Sequence, residues 1–144
     1  MKTVSIVTRR LKEGKTYEDF RKAWYHTIGF GASTKMITAL NVHDPREIIV
    51  MGFVETDIEG FEDGLKIDVK ERLENPLDDV IEPEIGRKFG VLVSEDDFSD
   101  EGEIEYEEAS LGGKKTDMEE AYENLSMIAE LINKASKERE KLKK

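Results

Sequence analysis

The chain has 144 residues, enough for one domain with a buried core, and its 33 acidic and 22 basic residues give a net charge of -11. Because this charge repels nucleic-acid backbones and anionic lipid headgroups, nucleic-acid and membrane partners are both disfavoured. The absence of cysteine excludes disulfide bonds and thiolate metal sites, and no apolar run approaches the roughly 20 residues that span a bilayer. No signal-peptide pattern follows Met1-Lys2, so the expected compartment is the cytoplasm.

The chain opens with the pattern of a strand followed by an amphipathic helix. Residues 3–10 alternate along the chain, which predicts a β-strand. Thr16 and Asp19 have the spacing of an N-cap and its N3 acid, so a helix is predicted to begin there and to run to about His26. Its apolar stripe consists of Tyr17, Phe20, Trp24 and Ile28. The segment Gly29-Phe30-Gly31 is predicted to end the helix, because glycine readily adopts the left-handed conformation of a helix terminus.

The segment 35–54 is predicted to form a β-hairpin, since both of its arms are rich in β-branched and aromatic residues. Asp44-Pro45-Arg46 is the predicted turn, because proline presets a turn conformation and aspartate can bond the backbone ahead of it. Gly52 indicates either a β-bulge or space for a bound molecule over the sheet. Residues 48–54 form an almost unbroken apolar run, whereas a strand with one wet face alternates. Both faces of this sheet are therefore predicted to be covered.

A second helix and a fourth strand complete the first part of the chain. Apolar residues recur every four positions from Phe61 to Leu73, with Asp57 as a candidate cap and Asn75-Pro76 as the end of the helix. Residues 89–93 are the predicted fourth strand. The order β-α-β-β-α-β over residues 1–93 is typical of a ferredoxin-like α+β domain, whose antiparallel sheet carries both helices on one face. A second copy of the chain would cover the other face, which predicts a homodimer.

The last third of the chain differs in composition. Residues 94–115 are predicted to be an acidic loop or linker that ends in a flexible joint at Gly112-Gly113. Thr116 and Glu119 have the spacing of a capping box, which predicts a long amphipathic helix over residues 116–144. Its narrow apolar stripe, which extends to Leu142, requires another helix or a sheet edge as its partner.

The first strand, the aromatic helix segment 17–25 and the long hairpin together resemble the dimeric α/β-barrel superfamily, which includes antibiotic-biosynthesis-type monooxygenases and EthD-like proteins. The resemblance covers about two thirds of the chain. It implies a dimeric α/β barrel with a cleft between sheet and helices for a small, often aromatic molecule, which some members oxidise without a metal. No catalytic motif of a member is reproduced here, so the resemblance transfers no catalytic residue.

Several side chains are candidates for a site in such a cleft. His26, at the end of the first helix, is the candidate catalytic residue because it could transfer protons at the mouth of the cleft. A helix-end histidine whose charge suits the helix dipole is the alternative. The candidate ligand-binding residues are Trp24, Tyr25, Met36, His43 and Met51. Core packing alone also explains Trp24, and a place at the hairpin tip explains His43.

The acidic segment contains a pattern similar to a calcium-binding loop. Asp97, Ser99, Glu101 and Glu108 occupy positions 1, 3, 5 and 12 of the EF-hand template, with Gly102 at the sharp turn. The two flanking helices of an EF-hand are missing, since a strand precedes the segment and glycines follow it. A solvated acidic connection without a metal is the alternative.

Three functions remain open from the sequence. The chain could be an oxygenase or isomerase that acts without a cofactor on an aromatic or polyketide-like compound, as the resemblance implies. It could instead be a ligand-binding module without chemistry, or a structural protein whose long helix engages a partner. The scarcity of histidine and the lack of a Ser-His-acid or paired-carboxylate arrangement weigh against the enzyme.

Overall fold

The computed structural model describes residues 1–143, with side chains through Lys141, and over this range the protein is α+β, with a four-stranded antiparallel sheet and three helices. The strands are β1 (Lys2–Arg10), β2 (Ser33–Asn41), β3 (Asp44–Glu55) and β4 (Gly86–Val91), and the helices are α1 (Tyr17–Trp24), α2 (Ile58–Glu74) and α3 (Met118–Lys143). The strand order in the sheet is β2-β3-β1-β4. Helix α3 confirms the predicted C-terminal helix, but Lys144 and the Leu142 side chain lie outside the described part.

Alternation along the strands divides the sheet into two faces. Val7 is paired with Val50, and both lie on the face that carries the helices, here called the inner face. Met51 is paired with Ile6 on one side and with Ile37 on the other, so these three side chains share the opposite, outer face. The two faces differ in solvent exposure: Val50 on the inner face is buried, whereas Ile37 on the outer face is 54% exposed.

Helix α1 supplies the main cover of the inner face. The predicted capping box is confirmed, since the Thr16 hydroxyl accepts a hydrogen bond from the Asp19 backbone N–H and the Asp19 carboxylate accepts one from the Thr16 N–H. The Phe20 ring is buried and stacks on Trp24, with 6.0 Å between ring centroids. The buried core around it consists of Leu11, Phe20, Ile48, Val50, Leu77, Val80 and Ile81. The aromatic side chains of α1 therefore cover the part of the inner face that lies over this core.

The hairpin turn lies at Val42-His43 and not at the predicted Asp44-Pro45-Arg46, which belongs to β3. The Asn41 side-chain oxygen accepts a hydrogen bond of 2.9 Å from the His43 backbone N–H, and this local bond closes the turn two residues earlier. Pro45 is tolerated at the beginning of the strand, where proline need not donate to the ladder. The predicted turn position was wrong because it was based on Pro45, whereas the Asn41 side chain stabilises a turn at Val42-His43.

Gly52 marks a close approach of side chains and not the predicted bulge. The register between β2 and β3 is regular through the pair Met36 and Gly52 and shifts only between Leu40 and Asn41. A Cβ atom at position 52 would lie 2.8 Å from the Met36 sulfur and 2.9 Å from the Ser5 hydroxyl. The inner face therefore uses the space above Gly52 for these two side chains.

The segment after β4 carries a small hairpin where a flexible joint was predicted. Strand β4 itself begins three residues before the predicted strand. Residues 94–109 have no helix or strand, and the two-residue strands β5 (Ser110–Leu111) and β6 (Lys114–Lys115) then pair around Gly112-Gly113. Both glycines have positive φ angles, of 61° and 81°, which other residues rarely adopt.

Helix α3 begins with a different cap from the one predicted. The Asp117 side chain accepts hydrogen bonds from the backbone N–H groups of Glu119 and Glu120, whereas the Thr116 hydroxyl donates to the Val93 carbonyl. Thr116 thus ties the start of the helix to the end of the sheet. No helix within residues 1–143 is both long and apolar enough to cross a membrane.

Helix α3 packs against α2 and β4, so its apolar stripe has the helix partner that the sequence predicted. Its buried side chains are Ala121 and Ile128, and Lys134 lies 3.8 Å from the Glu62 carboxylate of α2. Because α3 packs against α2, and Arg72 of α2 is hydrogen-bonded to the Trp24 carbonyl at the end of α1, the helix lies on the inner side. The terminal helix therefore leaves the outer face of the sheet open.

Candidate ligand site on the inner face

Helix α1 is too short to cover the whole inner face. Its 8 residues span about 12 Å, whereas the 9 residues of β2 span about 30 Å. Met36 and Leu40, which lie on the inner face of β2, consequently remain 39% and 45% exposed. This part of the inner face is therefore only partly covered.

Five side chains meet where α1 ends and α2 passes, and they are here called the His26 cluster: Trp24, His26, Phe30, Asp68 and Arg72. The His26 ring stands edge-on to Trp24, with 5.5 Å between centroids, and lies 5.0 Å from the Phe30 ring. Its Nε2 atom is 4.0 Å from the Asp68 carboxylate. Arg72 donates a hydrogen bond of 2.8 Å to the Trp24 carbonyl, which fixes the loop after α1 against α2.

The electrostatics of the cluster favour a neutral His26. Burial lowers the pKa of His26 below its ordinary value of 6.5, and the Arg72 guanidinium lowers it further, while Asp68 and Glu71 act in the opposite direction. At neutral pH the imidazole is therefore uncharged and can either accept or donate a proton. This is a different state from the charged helix-end histidine considered as the alternative from the sequence.

The cluster holds buried nitrogen atoms without hydrogen-bond partners. They are Nδ1 of His26 together with Nε and Nη1 of Arg72. A buried donor without a partner costs about 1–3 kcal/mol, so folded proteins rarely keep several together. Each of these nitrogens therefore requires a partner, which an ordered water molecule or a polar group of a ligand could supply.

The lowered pKa of His26 predicts a pH-dependent stability. Because the unfolded chain binds the imidazole proton at a higher pH than the folded chain, the free energy of unfolding should fall as the pH drops below 6.5. Urea titrations between about pH 7.5 and about pH 5.5 should show a steeper loss for the wild type than for His26→Phe. His43→Phe, in the exposed turn, should keep the wild-type slope, and an unchanged slope in His26→Phe would contradict the prediction.

The structure divides the predicted ligand-binding residues between different places. Trp24 and Tyr25 lie at the end of α1, and Met36 lies on the inner face, so these three are on the side of the His26 cluster. Met51 lies on the outer face, and His43 lies in the exposed hairpin turn. The Tyr25 ring is exposed and packs under the Arg21 guanidinium at 5.0 Å.

The acidic segment does not gather its predicted metal ligands. The Asp97 carboxylate accepts hydrogen bonds from the Ser99 hydroxyl and backbone N–H, which lower the pKa of Asp97, and the Glu108 carboxylate lies 2.9 Å from the Lys115 ammonium. Glu101 makes no described contact with either. Among the described side chains, no three histidine or carboxylate groups come together as metal ligands.

Asp68 and Arg72 were missed from the sequence although their spacing carries a signal. Phe61, Leu65, Asp68 and Arg72 are separated by four, three and four residues, which places them on one face of the helix. Two charged residues therefore continue a stripe that begins with apolar ones. The prediction instead followed the four-residue spacing to Val69 and Leu73, and Leu73 is exposed. Charged residues at apolar positions of a helix are a recognisable sign of a buried polar site.

Two pockets lie on other parts of the molecule. One, of about 330 Å³, lies between α2 and α3 and is lined by Leu65, Val69, Leu73 and Leu131. The other, of about 490 Å³, lies at one end of the sheet between Lys35, Phe53, Glu95 and Leu111. Neither contains a residue of the His26 cluster.

A scan against models of protein families finds no match, and no curated protein matches the chain.

Proposed function

We propose that the protein binds a small aromatic molecule beside the His26 cluster and does so as a ferredoxin-like homodimer. The observation that carries the binding proposal is the group of unpaired buried nitrogens on His26 and Arg72 beside the rings of Trp24 and Phe30. A flat ligand could stack on these rings while one polar substituent bonds to the nitrogens. The exposed Met36 and Leu40 would extend the apolar surface on the same face of the sheet.

The order of elements supports the ferredoxin-like part of the proposal. In a ferredoxin-like domain, the order strand, helix, strand, strand, helix, strand forms two interleaved βαβ units. The first six elements of this chain follow that order, and its sheet has the order β2-β3-β1-β4 with antiparallel neighbours. Such a sheet has one face without helices. The dimeric α/β-barrel arrangement covers that face with the same face of a second copy.

The outer face has the composition of a surface that a partner covers. Its apolar side chains are Val4, Ile6, Ile37, Ala39, Ile49, Met51 and Phe53. Four strands about 4.8 Å apart and about 30 Å long make a face of roughly 600 Å², close to the 800 Å² that each partner of a stable dimer buries.

A second candidate function is catalysis on the same ligand without a cofactor. The observation that favours it is the neutral, partly buried His26, which can take a proton from an acidic phenol or carbon acid and return it. This is the step that an isomerase needs, and it also generates the anion that reacts with oxygen in an oxygenase. His26 would then be a catalytic residue, whereas in a pure binding protein it would only orient the ligand.

Trp24, as the single tryptophan of the chain, reports on the proposed site directly. Titration with 2-naphthol should give a saturable change in Trp24 fluorescence and a matching heat by calorimetry. His26→Phe keeps a ring of similar size but loses both nitrogens, so it should bind about 5- to 10-fold more weakly. His43→Phe is the matched control and should bind like the wild type.

Two results would contradict the binding proposal. One is the absence of any saturable signal with 2-naphthol, and the other is equal affinity in the wild type and in His26→Phe. Oxygen uptake recorded during the same titrations would identify an oxygenase, because neither a binding protein nor an isomerase consumes oxygen.

A further inference from the structure

A groove with an apolar floor runs between α2 and α3. It has a volume of about 330 Å³, and its apolar lining consists of Leu65, Val69, Leu73, Leu131 and Ala135. Val69 is 9% exposed, whereas Leu73, one turn further along α2, is 36% exposed. Helix α3 therefore covers the apolar stripe of α2 only in part, and the rest of the stripe remains accessible from solvent.

Two lysines share a single carboxylate at one end of this groove. The same Glu62 oxygen atom, Oε1, lies 3.7 Å from the Lys66 ammonium of α2 and 3.8 Å from the Lys134 ammonium of α3. All three side chains line the groove. Because two positive charges meet one negative charge, one positive charge is left in excess at this end.

The other charged side chains of the groove have no such excess. Lys70 and Glu74, about two and three turns further along α2 than Glu62, form a one-to-one pair at 4.0 Å. Glu138 of α3 also lines the groove, and among the described side chains no cation lies within 4.0 Å of its carboxylate. The positive excess is therefore confined to the end at Glu62.

The size of the groove favours a small ligand over a protein helix. A volume of about 330 Å³ lies within the range of about 300–1,000 Å³ that is typical of small-molecule sites. A helix about 10 Å across that ran from Glu62 to Glu74, a length of about 18 Å, would need roughly 1,400 Å³. An unbranched alkyl chain is much narrower and can lie along the apolar floor in contact with both helices.

We infer that the groove binds a free carboxylic acid with an unbranched alkyl chain, that is, a fatty acid. The alkyl chain lies on the apolar floor, and the carboxylate lies beside the Lys66 and Lys134 ammonium groups, where it supplies the second negative charge. Glu62 holds the two ammonium groups at this end of the groove. The site shares no residue with the His26 cluster, so the inference goes beyond the proposed function and does not depend on it.

The test compares decanoate with 1-decanol, which have the same alkyl chain but differ in charge. Isothermal titration calorimetry should show that the wild type binds decanoate at least about 5-fold more tightly, because the carboxylate pairs with two ammonium groups. The net charge of -11 opposes the binding of any anion, so this preference requires a local positive charge.

The length of the alkyl chain gives a second readout. From hexanoate to decanoate the affinity should rise about 2-fold for each added methylene, since a groove that is open along one side buries about half of each one. An affinity that does not change with chain length would contradict the apolar floor as the binding surface.

One pair of variants tests the charged end of the groove. Lys134→Gln leaves Lys66 and Glu62 as a balanced pair, so the preference for decanoate over 1-decanol should disappear. Lys137→Gln removes the same charge from an exposed position of α3 outside the groove and should keep the preference.

A second pair of variants tests the apolar floor. Ala135→Phe places a ring in the groove and should weaken the binding of both ligands by about 10-fold or more. Ala129→Phe adds the same ring at an exposed position of α3 outside the groove and should bind like the wild type. Circular dichroism should show that both variants remain folded.

The outcomes separate this inference from the proposed function. The inference would be overturned by a lack of decanoate binding, by equal affinity for decanoate and 1-decanol, or by binding that is unchanged in Lys134→Gln and Ala135→Phe. A different mass of Ala135→Phe in light scattering would also overturn it, because the groove would then be a contact between copies of the chain. His26→Phe should bind decanoate like the wild type, so failure of either site leaves the other one in place.

Discussion

Replacing Ile37 by glutamate should convert the proposed homodimer into monomers. Ile37 lies on the outer face opposite Met51 and is 54% exposed in the single chain, so the fold of the protomer does not depend on it. In a two-fold symmetric dimer the substitution places an unpaired carboxylate on each side of the interface. Burying such charges costs several kcal/mol, which corresponds to dimerisation about 1,000-fold weaker or more.

Light scattering after size exclusion, at micromolar concentration, measures this effect. Val42→Glu is the matched control, since Val42 is 90% exposed in the hairpin turn and should leave the dimer intact. Circular dichroism should show that Ile37→Glu remains folded. A wild-type protein that is monomeric at these concentrations, or an Ile37→Glu variant with the mass of the wild type, would contradict the sheet-to-sheet dimer.

Replacing Phe20 by alanine should lower the free energy of unfolding by about 3–5 kcal/mol. The Phe20 ring is 2% exposed, stacks on Trp24 and joins Ile48 and Ile81 at the centre of the core. Its removal leaves a cavity that neither α1 nor the sheet can close, because both are fixed by backbone hydrogen bonds. Typical domains have only about 5–15 kcal/mol of stability, so the variant should be close to unfolding at room temperature.

Urea titration followed by Trp24 fluorescence measures this loss. Tyr106→Ala, which removes a ring that is 91% exposed, should change the stability by less than about 0.5 kcal/mol. Phe20→Leu keeps most of the volume and should fall between the two. A loss below about 1 kcal/mol in Phe20→Ala would show that this ring is not the centre of the core.

Local signals were sufficient for most of the fold. The Thr16 capping box, the Asp57 cap of α2 and the apolar run of β3 lie within a few residues of the structures they define, and each was predicted from the sequence. One of the errors has a local cause and the other a distant one. The turn moved because Asn41 bonds to His43, and the cap of α3 moved because Thr116 is used by the Val93 carbonyl, a partner 23 residues away.

The candidate site could be predicted only in part, because it joins distant segments. His26 and Trp24 were identified from α1, but their partners Asp68 and Arg72 are more than 40 residues further along the chain. Packing of α3 on α2 likewise brings Lys134 beside Glu62, although the two residues are far apart in the chain. Such proximity follows from the tertiary fold and not from any motif.

Backbone hydrogen bonds hold the acidic segment 94–109 near its two ends. The Glu95 N–H donates to the Ser110 carbonyl, and the Thr116 N–H donates to the Ala109 carbonyl, so the two ends are held together whatever lies between them. Lengthening a surface loop whose ends are already joined adds little entropic cost. A fluorescent tag or affinity peptide could therefore be grafted between Asp100 and Glu105, which would give a handle for immobilising the protein without disturbing either face of the sheet.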